Sequence, residues 1–122
     1  MGTALPAVIE EHIAAINAGD LDAVTATFAA NAYFTAQAEA RGIEAVRGLV
    51  AREFIDDNVT MEVREVIDHY GDFIVRLKYD GTYDKTNLPD PLIMTSYFSL
   101  RGGKIITLSV IFVAPFDAAR PP

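Results

Sequence analysis

The chain has 122 residues, no cysteine and no tryptophan, 51% hydrophobic residues, and seventeen acidic against ten basic side chains for a net charge of −7. That length is the modal size of one domain and lets a chain bury roughly two-thirds of its unfolded surface, so a single unit over residues 1–122, with its core about 6–115, is expected. Lack of cysteine excludes a disulfide scaffold, a thiolate zinc site, an iron–sulfur cluster and a thiol nucleophile, and the acidic balance opposes nucleic-acid phosphates and anionic membranes.

From Pro6 to Ala18, apolar residues fall at Val8, Ile9, Ile13 and Ile16, the spacing of a helix with one buried stripe, with Pro6 suited to its first turn. Gly19 ends it. Asp20 is the N-cap candidate for a second, shorter helix whose inner face carries Leu21, Val24 and Phe28. After the Ala29-Ala30-Asn31 break, the segment from Tyr33 to Gln37 reads as a short strand, and Gly42 opens a third helix from Ile43 to about Asp57. In that helix Ile43, Val46, Leu49, Val50 and Phe54 form one side, and Glu44, Arg47 and Glu53 lie on others.

Beyond Asn58 the apolar period changes to two. Strands are expected over 60–68, 73–83, 92–100 and 105–113, with Gly102-Gly103 as a tight hairpin and 84–91 as the longest loop of the sheet region. The tail after Val113 is expected to fray. Three helices followed by an antiparallel meander give an α+β fold. The scattered Lys and Arg residues contain no run of three, no apolar run approaches the ~18 residues of a membrane span, and the start Met1-Gly2-Thr3 lacks a secretory pattern. The expectation is a soluble, cytoplasmic protein without nucleic-acid or membrane partners.

The blocks Ile16-Asn17-Ala18-Gly19-Asp20-Leu21-Asp22-Ala23-Val24, Phe28-Ala29-Ala30-Asn31-Ala32, Gly42-Ile43-Glu44-Ala45-Val46 and Gly102-Gly103-Lys104-Ile105 carry a family likeness. Over roughly residues 6–115 the chain resembles the SnoaL-like and ketosteroid-isomerase-like branch of the nuclear transport factor two-like superfamily. The resemblance implies a cone-shaped, cystatin-like half-barrel, with three N-terminal helices packed on a strongly curved antiparallel sheet around an apolar cavity, frequently in a homodimer. It does not imply one chemistry, because members include isomerases, polyketide cyclases, dehydratases, epoxide hydrolases and proteins without catalysis.

Placed against that pattern, the family's first-helix Tyr position falls on His12, its basic Asp on Ala36, and its second oxyanion acid near Ser96. All three roles are therefore changed chemically. His12 lies on the apolar stripe, where burial would keep the imidazole neutral and able to exchange a proton near pH 7. The competing reading is a core histidine satisfied by a backbone carbonyl or a carboxylate. His12 and Ser96 are the catalytic candidates, with Tyr79 expected to orient an oxygen at the rim. Ile16, Phe28, Phe34, Ala36, Phe54, Leu77, Tyr79, Met94, Phe98, Leu108, Val110 and Phe112 are expected to line the substrate cavity, with Ile106 on the same face of the last strand.

His12 and His69 are the only imidazoles and form no ligand pattern, so no metal and no cofactor are expected. The functional expectation is a small cofactor-independent isomerase, cyclase or dehydratase-type lyase acting on an apolar carbonyl-bearing molecule, polyketide- or terpenoid-like. The alternative is a non-catalytic binding or dimerisation module for a lipophilic ligand. Tyr97, Ser99, Thr107, Ser109 and Ile111 give an outer sheet face on which a homodimer is expected to form.

Overall fold

In the computed structural model, residues 4–112 are described. Helix α1 runs Ala7–Ala18 with Pro6 at its N-cap, and Gly19 closes it at φ 68°, a left-handed conformation that costs glycine little. Asp20 caps α2, Leu21–Ala26, by accepting a hydrogen bond from the Ala23 N–H at 3.1 Å. Both helix boundaries follow the sequence reading, except that Phe28 has left the helix and begins a strand.

Strand β1, Phe28–Thr35, starts earlier than expected and passes through the Ala29-Ala30-Asn31 stretch. A short β2, Glu39–Arg41, pairs antiparallel with it. Helix α3, Ile43–Val50, then widens into a π-helical turn, Ala51–Ile55. The meander follows as β3, Thr60–His69; β4, Asp72–Asp80; β5, Leu92–Arg101; and β6, Lys104–Phe112. Val113 and the expected frayed tail lie outside the described residues. As the glycine pair predicts, Gly102 and Gly103 take φ 58° and 76° in the β5–β6 hairpin.

The strands form one sheet in the order β2-β1-β6-β5-β4-β3. Its long strands are antiparallel, but β1 runs parallel to β6, so the sheet is mixed. Register shifts at Phe28/Tyr33, Val63/Glu65 and Ser99/Leu100 add local twist, the means by which a sheet curls without closing. The last shift places Ile105, fully buried, where Ile106 was expected.

One half of the concave side is filled solid. Helix α1 packs on α2 and reaches β3 and β6. Beneath it Ile9, Ile16, Phe34, Leu77, Phe98, Ile105 and Leu108 lose essentially all solvent contact. Asn17 fastens α1 to the edge strand by a two-way amide contact, its Nδ2 donating to the Met61 carbonyl at 3.0 Å and its Oδ1 accepting from the Met61 N–H at 2.7 Å.

Candidate functional site

The other half of the concave side opens into a cleft of about 660 Å³, a size suited to a small organic molecule. Its floor comes from inward-facing sheet residues. Tyr79 on β4, Met94 on β5 and Val110 and Phe112 on β6 all reach it, joined by Leu92, Phe54 and Ala36. The register Leu77↔Met94↔Phe112 and Val75↔Ser96↔Val110 accounts for this, since side chains alternate across a pleated sheet. Its rim comes from the π-helical turn, with Arg52 and Glu53, from Asp57, and from Tyr83, Asp84, Thr86 and Leu88 of the loop between β4 and β5.

That loop is tied to the end of the helical segment. Thr82 donates to the Asp57 carbonyl through both its N–H, at 2.7 Å, and its hydroxyl, at 2.9 Å. Gly81 sits so near the same carbonyl that an added Cβ would stand 2.7 Å from the oxygen.

Tyr79 lines the floor and holds its hydroxyl buried beneath it. The residue is 8% exposed, its ring meets Phe54 edge-to-face at 6.3 Å, and its buried hydroxyl has no hydrogen-bond partner of ordinary geometry. Burial pushes its phenol far above the usual range; the nearby Ser96 hydroxyl eases that shift and the Glu53 charge adds to it. The side chain therefore stays neutral and keeps an unused donor. Glu53 is half-buried, and desolvation first, then the Asp57 charge, raises its carboxyl above the usual value against the opposing pull of Arg52. Asp84 behaves oppositely: the Thr86 N–H, 2.9 Å away, holds its carboxyl below the usual range.

Of the cavity residues named from sequence, Ala36, Phe54, Tyr79, Met94, Val110 and Phe112 line the cleft. Ile16, Phe28, Phe34, Leu77, Phe98 and Leu108 do not; all are buried in the packed half beneath α1. Ser96 is buried at 2% exposure behind Tyr79 rather than on the wall.

His12 also lies in the packed half, at 1% exposure. Its ring meets Phe28 and Phe98 edge-on, each at 5.5 Å. The Thr27 hydroxyl donates to the Val24 carbonyl at 2.6 Å, so its oxygen accepts from His12 Nδ1–H at 3.1 Å. Burial lowers the imidazole to about 3. It is neutral near pH 7, as expected, but a group with that pKa is a weak base there, and His12 is not among the residues that line the cleft.

Glu53 and Asp57 were not singled out from sequence. A uniform 3.6-residue period places Glu53 off the apolar side of α3; the wider π turn, with the Asp56 N–H bonding back to the Ala51 carbonyl at 2.8 Å, changes that phase. Among the described residues no cluster of three or more potential metal ligands occurs. No helix among them is long and apolar enough to cross a membrane.

A curled, unclosed sheet wrapped by three helices, with a ligand-sized cleft at one end, defines an α+β protein of the nuclear transport factor two-like class. A family model described as the SnoaL-like domain matches residues 9–108, and the chain belongs to that family. No curated protein matches it. Among solved structures it is similar to a candidate polyketide cyclase from Sinorhizobium meliloti, at 26% identity over 88% of this chain and 95% of that one, TM-score 0.75. It is also similar to a Catenulispora acidiphila protein with a ketosteroid isomerase-like fold, crystallised with trimethylamine, at 20% identity over 89% and 87%, TM-score 0.75. A cystatin-fold protein from Novosphingobium aromaticivorans aligns at 19% identity over 90% and 99%, TM-score 0.70. At those last two identities the likeness is one of fold.

Proposed function

We propose that this chain is a SnoaL-like enzyme that binds an apolar, carbonyl-bearing small molecule in the cleft and moves a proton beside its carbonyl, the elementary step of isomerisation or cyclisation. The observation that carries the reading is the unpartnered Tyr79 hydroxyl, buried just beneath the cleft floor, with the Glu53 carboxyl near enough for its charge to act on it. On binding, a small shift of the floor lets a carbonyl oxygen take the hydrogen bond that Tyr79 lacks. Glu53, made more basic by partial burial, accepts the proton on the neighbouring carbon. Negative charge then gathers on the carbonyl oxygen, where a preorganised donor in an apolar setting stabilises it. Ser96 acts behind Tyr79 as a positioning residue, and His12 is assigned to packing in place of acid/base work.

The test is exchange of the carbon-bound proton next to the carbonyl of a cyclic aryl ketone in deuterium oxide, followed by proton NMR. Wild type is expected to exchange it above background, with Glu53→Gln slower by roughly a hundredfold or more. Exchange unchanged in Glu53→Gln would overturn the assignment of the base. Retained binding with no exchange by wild type would favour the non-catalytic binding reading instead. We further assign the outer sheet face bearing Tyr97, Ser99, Thr107, Ser109 and Ile111 to a homodimer contact.

A further inference from the structure

We infer that Phe54 sets how far a ligand reaches into the protein: its ring closes the inner end of the cleft, and the molecules admitted are those whose apolar tail stops there. The inference deepens the proposal above and rests on the cleft being a binding site. Phe54 lines the cleft yet is almost wholly buried, so nearly all of its surface is spent on contacts within the protein. Behind it stands Phe34, fully buried and outside the lining, the two rings stacked with centroids 5.8 Å apart and planes 24° from parallel. Phe34 meets Phe28 at 6.1 Å, and Phe28 meets His12 at 5.5 Å, so a file of four rings leads from the cleft into the packing beneath α1. Of the four, Phe54 alone lines the cleft.

The backbone around Phe54 is held on both sides, and that decides what trimming the ring does. The Phe54 carbonyl accepts from the Val59 N–H at 2.9 Å, the Asp56 N–H bonds back to the Ala51 carbonyl at 2.8 Å, and the Asp57 carbonyl takes the two Thr82 bonds. A wall fixed in this way resists collapse, so a shortened side chain leaves a void continuous with the cleft. Its sides are the Phe34 ring and the Tyr79 ring, which meets Phe54 edge-to-face. An apolar void of that size stays dry and takes up hydrocarbon. Phe112 and Leu88, the exposed apolar residues at the opposite end and on the rim loop, have no such backing; trimming them widens the mouth without lengthening the cleft.

A ruler of graded length tests this: 4-n-alkylacetophenones with tails from methyl to octyl, titrated calorimetrically. Affinity for wild type is expected to rise roughly fourfold per methylene and then to stop at a definite tail length. In Phe54→Ala the stopping point is expected to move out by about three methylenes, so that the longest tails gain at least about tenfold over the methyl member relative to wild type. Phe54→Leu, which keeps more of the packing, is expected to move it by about one methylene and carries the test if the alanine variant does not fold. Leu49→Ala trims a buried side chain of α3 outside the lining and is expected to leave the stopping point where wild type has it, which separates an opened wall from general loosening. A steady gain in wild type with no stopping point, a stopping point unmoved in the folded Phe54 variants, or an equal move in Leu49→Ala would each overturn the inference while leaving the cleft reading in place. Binding of no member of the series by wild type would remove the cleft reading and the inference together.

Discussion

Tyr79 holds its hydroxyl in the interior without a partner, and such a group costs the folded state roughly 1–3 kcal/mol of lost hydration. Tyr79→Phe is therefore expected to stabilise the protein by about 1 kcal/mol, visible as a melting temperature roughly 3–5 °C higher. A lower melting temperature would mean that the hydroxyl is satisfied in solution. His12 gives a different signature. Its folded-state pKa is lowered from 6.5 to about 3 by burial, so the unfolded chain binds the proton more readily throughout that interval. Stability from the neutral imidazole is complete above about pH 6.5 and is lost as pH falls toward about 3. Denaturant titrations across that window are expected to show a slope of about one proton that disappears in His12→Leu. An unchanged slope in the variant would assign it to other groups. From the sequence, the apolar stripe correctly placed His12 inside, but periodicity cannot tell a filled interior from a hollow one. Tyr79 and Met94 were legible because strand alternation fixes the face; Glu53 was not, because a π turn leaves no mark on the pattern of residue types.

The helical segment and the loop after β4 behave as one unit at the rim, joined through the Asp57 carbonyl that takes two hydrogen bonds from Thr82. Gly81 is needed there for space. Gly81→Ala is expected to cost roughly 1–3 kcal/mol in denaturant unfolding, because its Cβ meets a backbone oxygen that the Thr82 bonds hold in place. A cost below about 0.5 kcal/mol would show that the loop shifts freely. The caps of α1 and α2 and the β5–β6 hairpin were read directly from Gly19, Asp20 and the Gly102-Gly103 pair, since each local conformation needs those residue types. Strand β1 was read too short because its first half, with exposed Ala30 and Asn31, lacks a strand-like composition. Its place is set by long-range pairing with β6, whose partners lie more than seventy residues away in the chain.

Taken whole, the molecule divides its apolar content between a dense half beneath α1 and an open half under the rim. The composition announced a surplus of apolar residues, and part of it, Phe98 and Leu108 as well as Met94 and Phe112, was expected to line a cavity. The register divides them differently: Phe98 and Leu108 pair near the closed end, whereas Met94 and Phe112 pair near the open end. Among the described residues Ile111, which also borders the cleft, is 50% exposed. Sedimentation is expected to give a dimer at micromolar concentration, reduced to monomer by Ile111→Lys; a wild-type monomer would overturn the dimer assignment. The central claim, that Tyr79 offers its hydroxyl to an oxygen in the cleft, is tested most directly by titrating wild type and Tyr79→Phe with the fluorescent ketone prodan, whose emission reports both an apolar setting and a hydrogen bond to its carbonyl. The account predicts binding by wild type and roughly tenfold weaker, further blue-shifted binding by Tyr79→Phe; equal affinity and identical emission from the two proteins would contradict it.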